Sequence, residues 1–344
     1  MADIVEKGEG AIALSPTNID SNCLTYEKDN TYISTYKYEE SPEIKIFAGD
    51  IIFVKTGSTV GKVAFVDNII DRTTLNPQLV VLKQVKCNPY FLYLLMAAPC
   101  FQKHIKRITV GGAVPTLSQN EMGRIGITLP PNAEQDRISA LFKLLNYRIE
   151  TQKKIIEKYE SLIRGLYHSV FNQPASTLQL KDVVSVVKGL QVNGEELLEY
   201  GKYYVMNGGT EPSGYLNVYN TPANTISISE GGNSCGYVQY NTEPFWSGGH
   251  CYSLIQKGQS VNYQYLYHFL KYKERNIMAL RIGSGLPNIQ KKDLERFEIR
   301  VLPTKQQNRV AEILEDMSAK CNLEKRILQG WQCQKSHLLR YIFI

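Results

Sequence analysis

The sequence predicts an α+β protein made of two pseudo-symmetric β-rich α/β blocks, joined by two long antiparallel helices in a coiled coil. Three observations predict it. The chain aligns with itself at a shift of about 172 residues, residues 108–117 falling on 280–289. Each copy opens in a stretch rich in Gly, Asn, Thr and Tyr that shows no long helical period. Each copy then closes, after a proline, in roughly forty residues whose apolar side chains recur every three or four.

In the first block the clearest element is "GDIIFVKTGSTVGKVAFV", residues 49–66. Gly57-Ser58-Thr59-Val60-Gly61-Lys62 resembles a phosphate-binding P-loop, but it has three residues between its glycines where that motif has four. Val63 also stands where a magnesium-binding Ser or Thr is needed. The β-branched run that follows is a strand, not the helix whose N-terminus would hold phosphate. The stretch is therefore a hairpin with a Gly-rich turn. Its second copy, "TISISEGGNSCGYVQY" (225–240), sets Gly236 on Gly61 and replaces Lys62 by Tyr237. A turn glycine survives duplication where a phosphate lysine does not, as a hairpin requires.

Further along, "NPYFLYLL" (88–95) matches "NYQYLYHFL" (262–270). "IGITLPPNAEQDRI" (125–138) matches "FEIRVLPTKQQNRV" (297–310), with Pro131, Gln135 and Arg137 on Pro303, Gln307 and Arg309. The opening "ADIVEKGEG" resembles "KDVVSVVKG" (181–189). The two helices are expected over about 132–171 and 304–341, near 55–60 Å each at 1.5 Å per residue. One seam runs Ile138, Leu141, Leu145, Ile149, Gln152, Ile156, Tyr159, Ile163, Leu166, Val170. The other runs Val310, Ile313, Met317, Cys321, Glu324, Leu328, Trp331, Lys335, Leu338, Ile342. A lone helix of this length must bury its seam, and two in a duplicated chain do so most simply on each other, antiparallel. "NQPAST" (172–177) stops the first helix. The expected division is 1–131, the helix 132–175, 176–303 and the helix 304–344.

Composition narrows the class. At 344 residues, with 43% apolar and 21% charged residues, the chain reads as a soluble, two-domain globular protein. No apolar run approaches the roughly 18 residues of a membrane helix. Met-Ala-Asp-Ile-Val-Glu-Lys lacks the basic and apolar regions of a signal peptide. The seven cysteines show no C-x-x-C spacing and read as free thiols of a reducing cytoplasm. A net charge of +6 permits nucleic acid as a partner without requiring it. The 22 tyrosines suit a recognition surface, or simply strands and core.

The order of block, helix, block, helix resembles the specificity subunit of type I restriction-modification systems. The resemblance rests on the hairpin at 49–66, on "GGAVPTLSQNEMGRIGITLPPNAEQDRI" and on its copy "GSGLPNIQKKDLERFEIRVLPTKQQNRV", and it covers nearly the whole chain. The lead before the first strand is shorter than members of that family usually have. The resemblance implies that each block is a target recognition domain reading one half of a split double-stranded DNA site. It implies that the helices space the halves and dock two modification subunits, which carry the adenine-N6 methyltransferase chemistry, with restriction subunits joining that complex. It implies no catalysis and no cofactor or metal for this chain. Two domains held on one spacer would read half-sites about 10 bp, roughly 34 Å, apart. Blocks of unequal sequence predict an asymmetric site.

DNA recognition needs phosphate clamps and side chains that reach base edges. In the first block the candidates are Lys55, Thr56, Ser58, Thr59 and Lys62 at the hairpin turn, and Arg72 near Thr73, Thr74 and Asn76. In the second they are Ser229, Asn233, Ser234 and Tyr237 at the matching turn, with Lys188, Gln191, Asn207 and Thr210. Arg281 and Asn288 flank the loop Gly283-Ser284-Gly285. Any of these can equally be a solvated loop residue. Lys103, Lys106 and Arg107 form a basic cluster before Gly111 that can bind phosphate or simply be a solvated face, while Lys153, Lys154, Lys158, Arg164, Lys325 and Arg326 line the helices, either facing DNA that passes over them or serving as solubilising flanks or contacts to modification subunits.

Two other readings stay open. A DNA methyltransferase should show an Asn-Pro-Pro-aromatic motif, and Asn76-Pro77-Gln78-Leu79 lacks the aromatic. A nuclease wants an acid before E-x-K, and Glu43-Ile44-Lys45 stands alone, while the five histidines lack metal-ligand spacing. A two-headed adaptor that binds proteins instead of DNA is compatible with the composition, and only the family resemblance and the basic charge weigh against it.

Overall fold

The computed structural model describes residues 4–26, 30–109, 114–283, 285 and 287–343. The chain divides into two compact units, Met1–Lys153 with Ile327–Ile344, and Lys154–Arg326.

In the first unit the strands are β1 (Ala11–Leu14), β2 (Thr31–Ile33), β3 (Ile51–Val54), β4 (Val63–Phe65), β5 (Thr73–Leu75) and β6 (Leu79–Leu82). Strand β3 sits between β4 and β6, antiparallel to both. In a second sheet β1 sits between β2, antiparallel, and β5, parallel. Four apolar residues in a row, Ile-Ile-Phe-Val, bury both faces of β3, because successive side chains point to opposite sides. Ile51 and Phe53 face the helices α1 (Pro89–Ala97) and α2 (Pro99–Ile108), sharing a core with Phe91 and Ile105. Ile52 and Val54 meet Ile12, Leu14 and Leu75 of the other sheet.

In the second unit β7 (Ser176–Gln179) is followed by β8 (Val184–Lys188), β9 (Tyr203–Met206), β10 (Thr225–Ser229), β11 (Val238–Asn241), β12 (Trp246–Ser247) and β13 (Cys251–Gln256). An antiparallel sheet runs β8-β13-β10-β11, and β12 lies parallel to β9. Helices α3 (Tyr263–Tyr272) and α4 (Glu274–Met278) follow, and β14 (Glu298–Val301) pairs with β7. The hairpin β10–β11 repeats β3–β4, and β13 stands where β6 does, since Ser229 opposes Cys251 as Val54 opposes Leu79. The likeness of residues 2–10 to 181–189 does not extend to pairing. Ile4–Val5 pairs with β2, whereas β8 pairs with β13.

The long helices are Asn132–Phe171 and Thr304–Ile342, and they run antiparallel. In the first unit Phe142 lies against Phe343, and the Arg148 guanidinium sits 5.0 Å over the Trp331 ring. In the second, Glu160 pairs with Lys325 at 2.7 Å, and Val170 and Phe171 share a core with Ala311 and Leu314. The expected first seam needs one correction. Leu141 is 41% exposed, and Phe142 is fully buried in its place. There the helix packs on α1 and its neighbours as well as on the other long helix, so the buried face widens beyond a two-position stripe.

Candidate nucleic-acid interface

Both hairpin turns have one backbone design. Gly61 donates to the Val54 carbonyl (3.0 Å), and Gly236 donates to that of Ser229 (2.8 Å). Gly57, Gly61, Gly232 and Gly236 all take positive φ, where side chains are strained. A Cβ on Gly236 would stand 2.8 Å from the Met278 Cα of α4, and one on Gly61 would stand 2.8 Å from Gln102 Oε1 of α2. Each turn is thus pressed against a helix. Gln102 Nε2 also donates to the Gly61 carbonyl (2.7 Å).

The repeated "VPTL/LPNI" stretch closes the turn from the other side. Gly57 donates to the Pro115 carbonyl and Leu117 to that of Lys55; Gly232 donates to Pro287 and Ile289 to Glu230. These bonds place Lys55 on Glu230, one residue beyond Ser229, and Thr56 on Gly231. Asn76 donates to Leu14 as Gly248 does to Met206, which places Ser15 on Asn207. Lys55 donates to Gln78 as Glu230 does to His250, which places Gln78 on His250.

In the first unit Ser15, Thr17, Thr56, Ser58, Thr59 and Lys62 line, with Gln78, a pocket of about 390 Å³. Ser58 is exposed, and Lys62 turns its ammonium to the Ile19 carbonyl (3.3 Å). Lys103, Lys106 and Arg107 lie exposed on α2, whose Phe101 and Ile105 are buried. Arg72 is not brought to the turn. It precedes β5, while Gln78, beyond the other end of β5, is the residue that meets Lys55.

In the second unit the structure draws together Lys188, Asn207, Gly231 and Asn288. Asn207 Oδ1 accepts from the His250 N–H (3.1 Å), and a Cβ on Gly231 would lie 4.0 Å from both Asn288 Cβ and His250 Nδ1. Asn288 exchanges backbone bonds with Ile282, leaving its side chain exposed beside Arg281, which is also exposed. Asn233 and Thr210 are exposed, Ser234 half-buried. Gln191 is exposed, and its Oε1 stands in the space a Cβ on Gly249 would need (2.3 Å). Tyr237 is turned aside. The Lys271 ammonium lies 4.1 Å over its ring, and burial pushes its hydroxyl pKa up. Ser284, Gly111 and Gly112 lie outside the described residues.

Local spacing marks neither Ser15, Thr17 and Gln78 nor Glu230 and His250. Glu230 was accessible through the repeat itself, since it precedes Gly232 by two residues as Lys55 precedes Gly57. Among the described residues no cluster of His, Cys, Asp and Glu could hold a metal, and no helix is long and apolar enough to cross a membrane.

Two β-rich units presenting matched turns, carried on a shared pair of long helices, define a duplicated recognition scaffold. The chain belongs to the family of the type I restriction modification DNA specificity domain, whose model matches it twice, over residues 6–161 and 173–330. A putative type I specificity subunit of Mycoplasma pneumoniae is 34% identical over 131 residues, 38% of this chain and 35% of that protein. One of Mycoplasma genitalium is 35% identical over 113 residues, 33% of this chain and 29% of that protein. The matched region thus spans about a third of the length of these two relatives. A putative specificity subunit of Methanocaldococcus jannaschii is 23% identical over 88% of this chain and 77% of its own length. The crystal structure of the type I system S subunit from M. genitalium shares the fold, with a TM-score of 0.72 at 19% identity over 100% of this chain and 94% of that one.

Proposed function

We propose that this chain is the specificity subunit of a type I restriction-modification complex and reads a bipartite, asymmetric site in double-stranded DNA. Residues 1–131 and 176–303 act as the two target recognition domains. The helical stretches 132–175 and 304–344 space them and dock two modification subunits, through which restriction subunits join. The chain works in the cytoplasm and contributes recognition, leaving adenine-N6 methylation to its partners.

The observation that carries this reading is one backbone with two sets of side chains. The turns, their glycines and the segments that close them coincide, yet Ser15, Lys55, Thr56, Ser58 and Gln78 become Asn207, Glu230, Gly231, Asn233 and His250. A shared frame with different donors and acceptors is what two different half-sites require. The family match supplies the DNA.

The test is to co-express the chain with candidate modification subunits and map N6-methyladenine across host DNA. A two-part, asymmetric motif that disappears without the chain is expected. Unchanged methylation, with no subunit bound, would overturn the reading and bring the protein-binding adaptor forward.

A further inference from the structure

Position 55 in the first unit and position 230 in the second are equivalent in backbone and opposite in charge. Lys55 has no carboxylate partner among the described residues, and neither has Lys62. Glu230 is nine-tenths buried, with 8% of its surface exposed. Its Oε1 accepts from Lys188 Nζ (2.7 Å) and from the Tyr252 hydroxyl (2.9 Å). Its Oε2 is buried without a hydrogen-bond partner, the His250 Nδ1 standing 3.8 Å away. The backbone at Glu230 is held from three sides, by the His250 carbonyl, the Ile289 N–H and the Cys235 thiol. The Tyr252 hydroxyl anchors the carboxylate in this buried position, and Lys188, on β8, comes to it. Among the described residues the first unit has neither half of this arrangement, for Val80 stands where Tyr252 does, opposite Phe53 as Tyr252 is opposite Ile228, and no strand corresponding to β8 lies along β6.

We infer that Glu230 is a positioning residue that neutralises Lys188 at the second recognition surface, so that this lysine adds no phosphate attraction beside the second turn, whereas Lys55, at the equivalent place in the first, does. This rests on the DNA-reading proposal above. An ammonium already paired with a fixed carboxylate displaces few counterions when phosphate arrives, whereas a free one displaces about one. Around the first turn Lys55, Lys62, Lys103, Lys106 and Arg107 add charge. Around the second, Lys188 is compensated, Lys271 is held by Glu274 (2.5 Å), and the exposed Arg281 is a cation left without an ion pair among the described residues. Asn207, Asn233 and Asn288 remain as neutral donors and acceptors, suited to base edges.

The test uses the full chain co-purified with its modification subunits. Binding is measured over a range of NaCl to a duplex carrying the mapped motif and to one with the motif scrambled. Lys55→Ala should make the slope of log K against log salt shallower by about one, while Lys188→Ala should leave it nearly unchanged. Glu230→Gln, which keeps the size and an oxygen for Tyr252, should steepen the slope by about one and tighten binding to the scrambled duplex more than to the motif. Competitive acylation of Lys188, followed by mass spectrometry without DNA, should speed up in Glu230→Gln while Lys55 is unaffected. Equal loss of slope in Lys55→Ala and Lys188→Ala overturns the inference, as does a Lys188 acylation rate indifferent to Glu230→Gln. Wild-type protein that binds neither duplex at any salt overturns the DNA reading and this division of charge with it, and the acylation contrast then shows the ion pair to be structural only.

Discussion

At the residue scale, the repeated Gln of the two helix starts has a structural task that repeats bond for bond. Gln135 Oε1 accepts from the Asn88 N–H (3.0 Å) and its Nε2 donates to the Pro130 carbonyl (2.8 Å). Gln307 does the same with Asn262 (2.7 Å) and Leu302 (2.7 Å). Asn88 and Asn262 in turn cap α1 and α3. One amide therefore ties the first turn of each long helix to the N-terminus of the short helix in its own unit. Gln307→Ala would leave two buried backbone groups unpaired, and a loss of about 3 kcal/mol is expected in urea unfolding of the full chain. A loss below about 1 kcal/mol would mean that water replaces the amide. His268 carries a pH dependence. Its Nδ1 lies 3.0 Å from the Tyr167 hydroxyl, and burial pushes its pKa from 6.5 down to about 4. The unfolded chain takes up this proton below about pH 6.5, the folded one only near 4. Stability that is full above pH 6.5 is therefore lost as the pH falls towards 4, by about 3 kcal/mol in all. Unfolding followed at several pH values should show this acid loss, and His268→Phe should flatten it.

At the element scale, the two hairpin turns look alike but differ in what presses on them. Gly61 is backed by the movable end of Gln102, Gly236 by the main chain of Met278. Both alanine substitutions incur the cost of positive φ, about 1 kcal/mol. Gly236→Ala also collides with backbone, so its melting temperature should fall further than that of Gly61→Ala. The first long helix offers a second contrast. Phe142→Ala should cost about 4 kcal/mol because it empties a filled core position, and Leu141→Ala less than about 1, since Leu141 is exposed. Equal losses would restore the narrow seam that periodicity alone predicts. The helix ends, by contrast, were legible. Proline before Asn132 and before Thr304 starts each helix, and a three-and-four period, interrupted by Gln152 in one and by Glu324 and Lys335 in the other, carries it to Phe171 and Ile342.

For the molecule as a whole, duplication is the main fact. Each unit builds its own core, and each contributes part of both long helices to it. If the proposed division holds, replacing residues 176–303 with the corresponding stretch of another family member should rewrite one half of the methylated motif and leave the other half intact. A change in both halves would show that the units do not read independently.

The sequence by itself determined the duplication, the hairpins, the two long helices and the rejection of the P-loop. All of these depend on local spacing, turn glycines and side-chain period, which act over a few residues. Only the tertiary structure decided which loop residues share a surface. Ser15 meets Thr56 and Gln78 through a sheet that joins distant segments, Arg72 is carried to the far end of its strand, and Tyr237 is claimed by Lys271. Glu230 and Lys188 are separated by 42 positions, and nothing in the spacing of either marks the pair. Their meeting depends on strand order, with β13 lying between β8 and β10, and strand order is set by burial of whole faces, not by the residues at the turn.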